Sequence, residues 1–396
     1  MKNPTRATRS AARCAGILAA ALLLLVVLNL PALSVRNPVV GYTVDLPIGW
    51  HDPGNDDPLH IGFLAPNSDA MLQIIALDAA TADSGYQLAQ YMQSQIGSNG
   101  EVAEYEYQGR STALTDVVFV TNGVQVRGYL LTIDGEHYDY ALLAFAAMAS
   151  YEAAHDHLVS AMDSFSLPGY ELYPGPISQL FDPYVPDPDP GDLLQIPFFD
   201  HALAQYGTAA MLDATTTTVE REARILEPYG ALEREAYSEA WRRYYRMIYR
   251  DNYMRLATLA ESLDQEIGRD FSREELPYVL LSWLQGFGFD RAGGLSDFAP
   301  PIACLASMTG DCDSLAMIYV ILLHHFQIDA ILMVSDVYSH AMAAVDLAGA
   351  GARFPFEGRN WLVAEMTSGV DLGQISADMA DPTCWIGVRM RLQAVE

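Results

Sequence analysis

Apolar and polar positions change rhythm three times along the chain. From Val39 to Leu167 they mostly alternate in short runs, the period of half-buried strands. The runs fall at Tyr42–Pro47, Ile61–Leu64, Met71–Leu77, Val102–Tyr107, Thr112–Thr121, Val124–Ile133 and Tyr138–Phe145. Two stretches break the alternation with helical spacing: Tyr86–Ile96, carrying Leu88, Tyr91 and Met92 and ending at Gly97, and Ser150–Phe165. Asn122-Gly123 and Asp134-Gly135 are hairpin turn signals. Together they predict a domain over 39–167 of class α+β, an antiparallel sheet with packed helices.

From Pro168 to Phe199 the rhythm dissolves into Pro, Tyr, Asp and Gly, including Pro186-Asp187-Pro188-Asp189-Pro190, which reads as a stiff solvated linker over 168–199. Beyond it, residues 200–396 begin with helical spacing from Val219 to Gly268. Trp241, Tyr245, Ile248, Tyr253, Leu256 and Leu259 form a stripe expected to pack in the core, and Arg242, Arg243, Arg246 and Arg250 are expected to pair with acids. Pro277 opens a short apolar helix through Gly286. An almost wholly apolar helix then starts at Cys312 and runs to about Phe326, followed by strands predicted at Ile328–Val334, His340–Leu347 and Asn360–Thr367.

The first residues follow a different logic. Lys2, Arg6, Arg9 and Arg13 precede a stretch from Cys14 to Val35 without charge, so 1–35 reads as a signal peptide or a membrane anchor, and the rest as exported, periplasmic or extracellular. The net charge of -28, with no lysine after Lys2, makes nucleic acid and anionic lipid poor partners. The four cysteines, at 14, 304, 312 and 384, are no disulfide framework, although Cys304 and Cys384 are free to pair and leave Cys312 as a thiol.

Cys312 draws the chemistry together. A cysteine at the start of a buried helix meets the positive end of the helix dipole and the unpaired N–H groups of the first turn, both of which favour thiolate. Asp311 and Asp313 oppose this. Neighbouring strands bring His340 and Glu365 towards it, and thiol, imidazole and carboxylate in that order are what nucleophilic acyl transfer needs. Gln285 is the candidate side-chain amide for an oxyanion site. His155-Asp156-His157 has the wrong spacing for a metal pair on a helix, and His324 and His325 fit capping of their helix end. No cofactor or metal is expected.

Two stretches resemble known families. The Tyr-x-Val-x-Leu-Pro-x-Gly-Trp opening at Tyr42–Trp50, with the element order that follows, resembles the PsbP, DcrB and Mog1 group of sandwich domains; this implies a non-catalytic binding or positioning module with an unknown protein partner. Gly310-Asp311-Cys312-Asp313 before a long apolar helix, His340 before a strand, and Trp361–Thr367 resemble the transglutaminase-like superfamily of papain-type enzymes. So do Trp283-Leu284-Gln285 and Ala299-Pro300-Pro301. That resemblance implies a papain-like core with a helical lobe and an antiparallel sheet, Cys312 as nucleophile, His340 as general base and acid, and Glu365 as the orienting acid. It implies an amide of a protein or peptide as substrate, with cleavage favoured over cross-linking. Glu365 stands where aspartate is commoner in that group, and Met342 where tryptophan is. A fold kept without turnover, serving as an envelope scaffold, is the alternative.

Overall fold

A computed structural model of the chain describes residues 33–54, 57–66, 69–181, 189–231, 233–291 and 293–390. They fall into two compact units, one from Met1–Tyr170 with Gly175–Pro183, the other from Glu171–Pro174 with Tyr184–Glu396. The leader expected over 1–35 lies, up to residue 32, outside the described residues; among those described, no helix is long and apolar enough to cross a membrane.

The first unit starts with a ribbon of β1 (Leu33–Arg36) and β2 (Thr43–Leu46). Its sheet is formed by β3 (His60–Leu64), β4 (Ala70–Asp78), β5 (Val102–Tyr107), β6 (Arg110–Thr121), β7 (Val124–Ile133) and β8 (Tyr138–Ala147), in the antiparallel order β3-β4-β8-β7-β6-β5. Alternation along β4 explains the layers. Leu72, Ile74 and Ala76 face a core closed by α2 (Tyr151–Asp163), while Met71 and Ile75 face one closed by α1 (Gly85–Ile96). The predicted Asn122-Gly123 turn holds both residues at positive φ, 49° and 77°, as a tight right-twisting hairpin requires. A short α3 (Pro176–Phe181) follows, tied down by Tyr105, whose hydroxyl donates to the Pro176 carbonyl at 2.7 Å. His155 contacts the Tyr129 hydroxyl at 3.0 Å, a surface packing role.

Asp139 near the start of β8 has no exposed surface, one carboxylate oxygen accepts from the Gly135 N–H at 3.3 Å, and the other has no partner. Burial, with the charge of Asp134 nearby, pushes its carboxyl up to about 6. A raised carboxyl stabilises the fold below its ordinary pKa, and that stability is lost as pH rises through about 6. Asp139→Asn is therefore expected to stabilise this unit by on the order of 1–2 kcal/mol at pH 7 after solvent screening, with no gain near pH 4. Chemical denaturation at the two pH values checks this; equal gains at both would refute it.

The second unit opens with a hairpin of β9 (Leu193–Phe198) and β10 (His201–Tyr206). The linker expected over 168–199 thus contains α3 and β9: Leu194, Ile196 and Phe198 alternate well enough to pack on the core despite Pro197. Helices α4 (Ala209–Leu226), α5 (Arg234–Tyr253), α6 (Ala257–Asp270) and α7 (Leu276–Leu284) follow. Then come β11 (Gly288–Phe289), α8 (Pro301–Ser307) and β12 (Thr309–Gly310), and the central helix α9 (Cys312–His325). The sheet, in the antiparallel order β15-β16-β14-β13-β17, comprises β13 (Ala330–Ser335), β14 (His340–Val345), β15 (Arg353–Phe356), β16 (Arg359–Ala364) and β17 (Ile386–Val388).

Helix α9 is apolar all round because it is surrounded: every residue from Ser314 to Leu323 is buried between the helical layer and one face of this sheet. The far face packs Met333, Met342, Phe354, Trp361 and Trp385 into a smaller core. His324 and His325 lie in the last turn of α9 and make further contacts there. His324 bridges the Tyr249 hydroxyl at 2.7 Å and the Ala330 carbonyl at 2.9 Å, and His325 stacks on Tyr253. Cys304 and Cys384 are free thiols rather than a disulfide; Cys304 is buried, with its thiol 3.7 Å from the Ala299 carbonyl.

Candidate active site

The start of α9 is fixed by its own sequence. Asp311 is the N-cap, one oxygen accepting the Ser314 N–H at 2.7 Å and the other the Ala299 N–H at 3.1 Å, while the Ser314 hydroxyl donates to the Ala299 carbonyl at 2.6 Å. These bonds clip the Ala299-Pro300-Pro301 approach to the helix. Gly310 sits in a tight place, since a Cβ there would lie 3.0 Å from the Cys304 sulfur and 3.1 Å from the Leu315 side chain. Burial and the charge of Asp313 push the Asp311 carboxyl up to about 6.

Cys312, the first residue of α9, is buried at 6% exposure. Its thiol donates to Asp313 Oδ1 at 3.0 Å, and Asp313 Oδ2 accepts from the Tyr245 hydroxyl on α5. Burial raises the thiol far above its ordinary range, the Asp313 carboxylate adds to this, and the Ala341 backbone N–H facing the sulfur pulls the other way. In this resting arrangement the sulfur carries its proton.

His340 begins β14, directly after Ser339, which turns the chain at φ 48°. Its Nε2 meets Glu365 Oε2 at 2.6 Å. Glu365 follows the last residue of β16, whose Ala364 pairs with Ala343 of β14. The other Glu365 oxygen accepts both the Thr367 N–H and its hydroxyl at 2.7 Å. Burial alone would raise the Glu365 carboxyl, but His340 and Thr367 outweigh it and hold it below the usual carboxylate range. An ionised Glu365 fixes the proton of a neutral His340 on Nε2, which leaves Nδ1 as the basic nitrogen.

Cys312 and His340 line one cavity of about 250 Å³, open between the start of α9 and the β13–β14 turn. Of the four sequence-predicted site residues, Cys312 and His340 share this cavity and Glu365 backs His340. Gln285 is placed elsewhere. Its Nε2 donates to the Glu365 and Val370 carbonyls, each at 2.8 Å, so both amide hydrogens brace the chain after β16 and the expected oxyanion role does not fit. The residue that caps the end of α7 thus ties down the backbone at Glu365 and Val370.

Trp241 and Tyr245, read in sequence as core packing, do pack on the core of this unit and also line the cavity, their rings stacked at 5.6 Å and 22°. Asp336 on the β13–β14 turn and the Arg291–Asp297 ion pair, 2.9 Å, complete its rim. The signal in the sequence was the i, i+4 aromatic pair itself, which occupies one helix face whether that face meets a core or a cavity.

No protein-family model matches this chain, and no curated protein matches it. Among solved structures, it is similar to cyanobacterial PsbP from Synechocystis at 11% identity and a TM-score of 0.29, covering 37% of this chain and 98% of that one. It is similar to LpqN, a Mycobacterium tuberculosis protein involved in cell envelope biogenesis, at 13% identity and a TM-score of 0.23, covering 34% of this chain and 88% of that one. A protein of Bacteroides thetaiotaomicron matches at 9% identity and a TM-score of 0.25, covering 56% of this chain and 78% of that one.

Proposed function

We propose that the second unit is a transglutaminase-like thiol enzyme, on a papain-type core, that cleaves or transfers the acyl group of a protein or peptide amide, with hydrolysis favoured over cross-linking. The observation that carries this reading is the 2.6 Å His340–Glu365 contact in front of a cavity that also holds Cys312 at a helix N-terminus. In the proposed reaction the Cys312 proton passes to His340 Nδ1 and the sulfur attacks the amide carbon. The tetrahedral oxyanion collapses as His340 protonates the leaving amine, and a thioester remains. Water or an amine, deprotonated by His340, then displaces the sulfur. A substrate side chain that fills the 250 Å³ cavity displaces water from it, which strengthens each charge interaction in this sequence. The first unit serves in this reading as a PsbP-like non-catalytic module that holds a partner, and the basic, apolar leader sends the chain out of the cytoplasm.

The Cys312–Asp313 hydrogen bond favours a second reading, in which the fold is kept as an inert scaffold. Modification by iodoacetamide, read at Cys312 by peptide mass, separates the two. The enzyme predicts slow alkylation at neutral pH, since the resting thiol keeps its proton, and a rate that falls steeply in His340→Ala. Labelling unchanged in that variant would sink the dyad.

A further inference from the structure

Nothing in acyl transfer requires the thiol to rest on a carboxylate, and yet the structure provides one and fixes it. Asp313 accepts from Cys312 at 3.0 Å through one oxygen and from Tyr245 through the other, so it cannot turn away without breaking a bond to α5. Both donors are neutral, and the positive end of the α9 dipole offsets the Asp313 charge in part. The groups around it add to that charge: Asp311 precedes the sulfur, and Asp336 on the β13–β14 turn lines the same cavity. Arg291, the cation on the rim, is bound to Asp297. Trp241, half-buried with Tyr245 stacked on it, also lines the cavity, and an indole ring attracts cations. The volume of about 250 Å³ suits one side chain rather than a larger ligand.

We propose that Asp313 is a hold on the Cys312 thiol, and that an organic cation carried by the substrate, an ammonium or guanidinium, releases it on entering the cavity. This rests on the acyl-transfer reading above. The cation replaces the thiol as the partner of Asp313; the S–H bond then breaks towards His340 Nδ1, and the sulfur is left as thiolate with no redox change. Asp313 is thereby a positioning residue that also sets specificity, so that a cation reports itself to the nucleophile before chemistry begins.

The test uses the full chain and three methanethiosulfonates with the same two-carbon arm, carrying a 2-aminoethyl, a 2-hydroxyethyl or a 2-sulfonatoethyl group, the first two matched in size. Each forms a disulfide with Cys312 and releases methanesulfinate, and each rate is divided by that on free cysteine. Salt near 0.5 M shortens the Debye length to about 4 Å and removes the field of the distant acids. The expected corrected order is cationic over neutral by about tenfold, with the anionic reagent slowest. In Asp313→Asn the neutral reagent is expected to speed up and the cationic preference to collapse. Tyr245→Phe, which keeps the Asp313 charge but loosens it, is expected to speed the neutral reagent while retaining the preference; this arm stands if Asp313→Asn does not fold. Equal corrected rates for all three reagents on a Cys312 whose labelling still depends on His340 would overturn the proposal and leave the acyl-transfer reading standing. Labelling indifferent to His340→Ala would overturn both.

Discussion

Glu365→Gln is expected to lower kcat by roughly 10³–10⁴ while leaving KM nearly unchanged. The reason is a tautomer, not a lost charge alone. Thr367 offers two donors to Glu365 Oε1, at 2.7 Å each, so a glutamine there turns its carbonyl oxygen towards Thr367. Its NH₂ group then faces His340 Nε2, which has to accept. That moves the ring proton to Nδ1, the nitrogen that takes the Cys312 proton in the proposed reaction, and the base is blocked although the geometry is intact. Single-turnover acylation by an activated ester such as p-nitrophenyl acetate reads the step without knowledge of the natural substrate. Glu365→Asp, one methylene shorter, is expected to fall between the two. A glutamine variant that acylates at the rate of the parent chain would refute the orienting role.

This site was legible in the sequence to the extent that its parts lie at the ends of regular elements. Cys312 at the head of an apolar helix, His340 at the start of an alternating run and Glu365 at the end of another are positions that local pattern fixes, and the structure places them at those three ends. In the first unit the same alternation located all six strands of the sheet to within two residues, because each face has its own core and a one-residue slip would reverse both. What pattern does not carry is which neighbour a side chain meets. Gln285 sits where an oxyanion donor was expected in sequence, but the chain after β16 folds back to take both of its hydrogens. Trp241 and Tyr245 have the spacing of a core stripe; they line the cavity because α9 begins opposite them. Strands β15 and β17 have four and three residues, too short for alternation to register, and are held by partners such as Trp361 opposite Phe354. Met342 is likewise explained by its surroundings: it is fully buried in the far-side core beside Trp361 and Trp385, which supply the aromatic bulk there.

Glu222→Gln is expected to destabilise the second unit by about 3–5 kcal/mol, a large part of the ~5–15 kcal/mol that a folded domain has to lose. Glu222 on α4 is 1% exposed and lies between two buried guanidiniums, accepting from Arg221 Nε at 2.9 Å and from Arg243 Nη1 on α5 at 2.8 Å. A glutamine has nearly the same shape but only one acceptor oxygen, so an NH₂ group meets one of the two cations in a space closed to water. The Arg242, Arg243, Arg246 and Arg250 run was expected from sequence to pair with acids, and Arg243 does so with Glu222 where both are buried. Because Trp241 and Tyr245 ride on the same helix, the loss should reach the cavity: α5 loosened at Arg243 no longer holds the Tyr245 hydroxyl against Asp313. Thermal unfolding of the full chain should show the transition of the second unit lowered by roughly 6–20 °C. Replacing Arg221, Glu222 and Arg243 together by apolar residues of similar volume should cost much less than the single change, since no charge is then left buried. A Glu222→Gln chain with the second unit's transition within about 2 °C of the parent would show that the ion cluster does not hold α4 to α5.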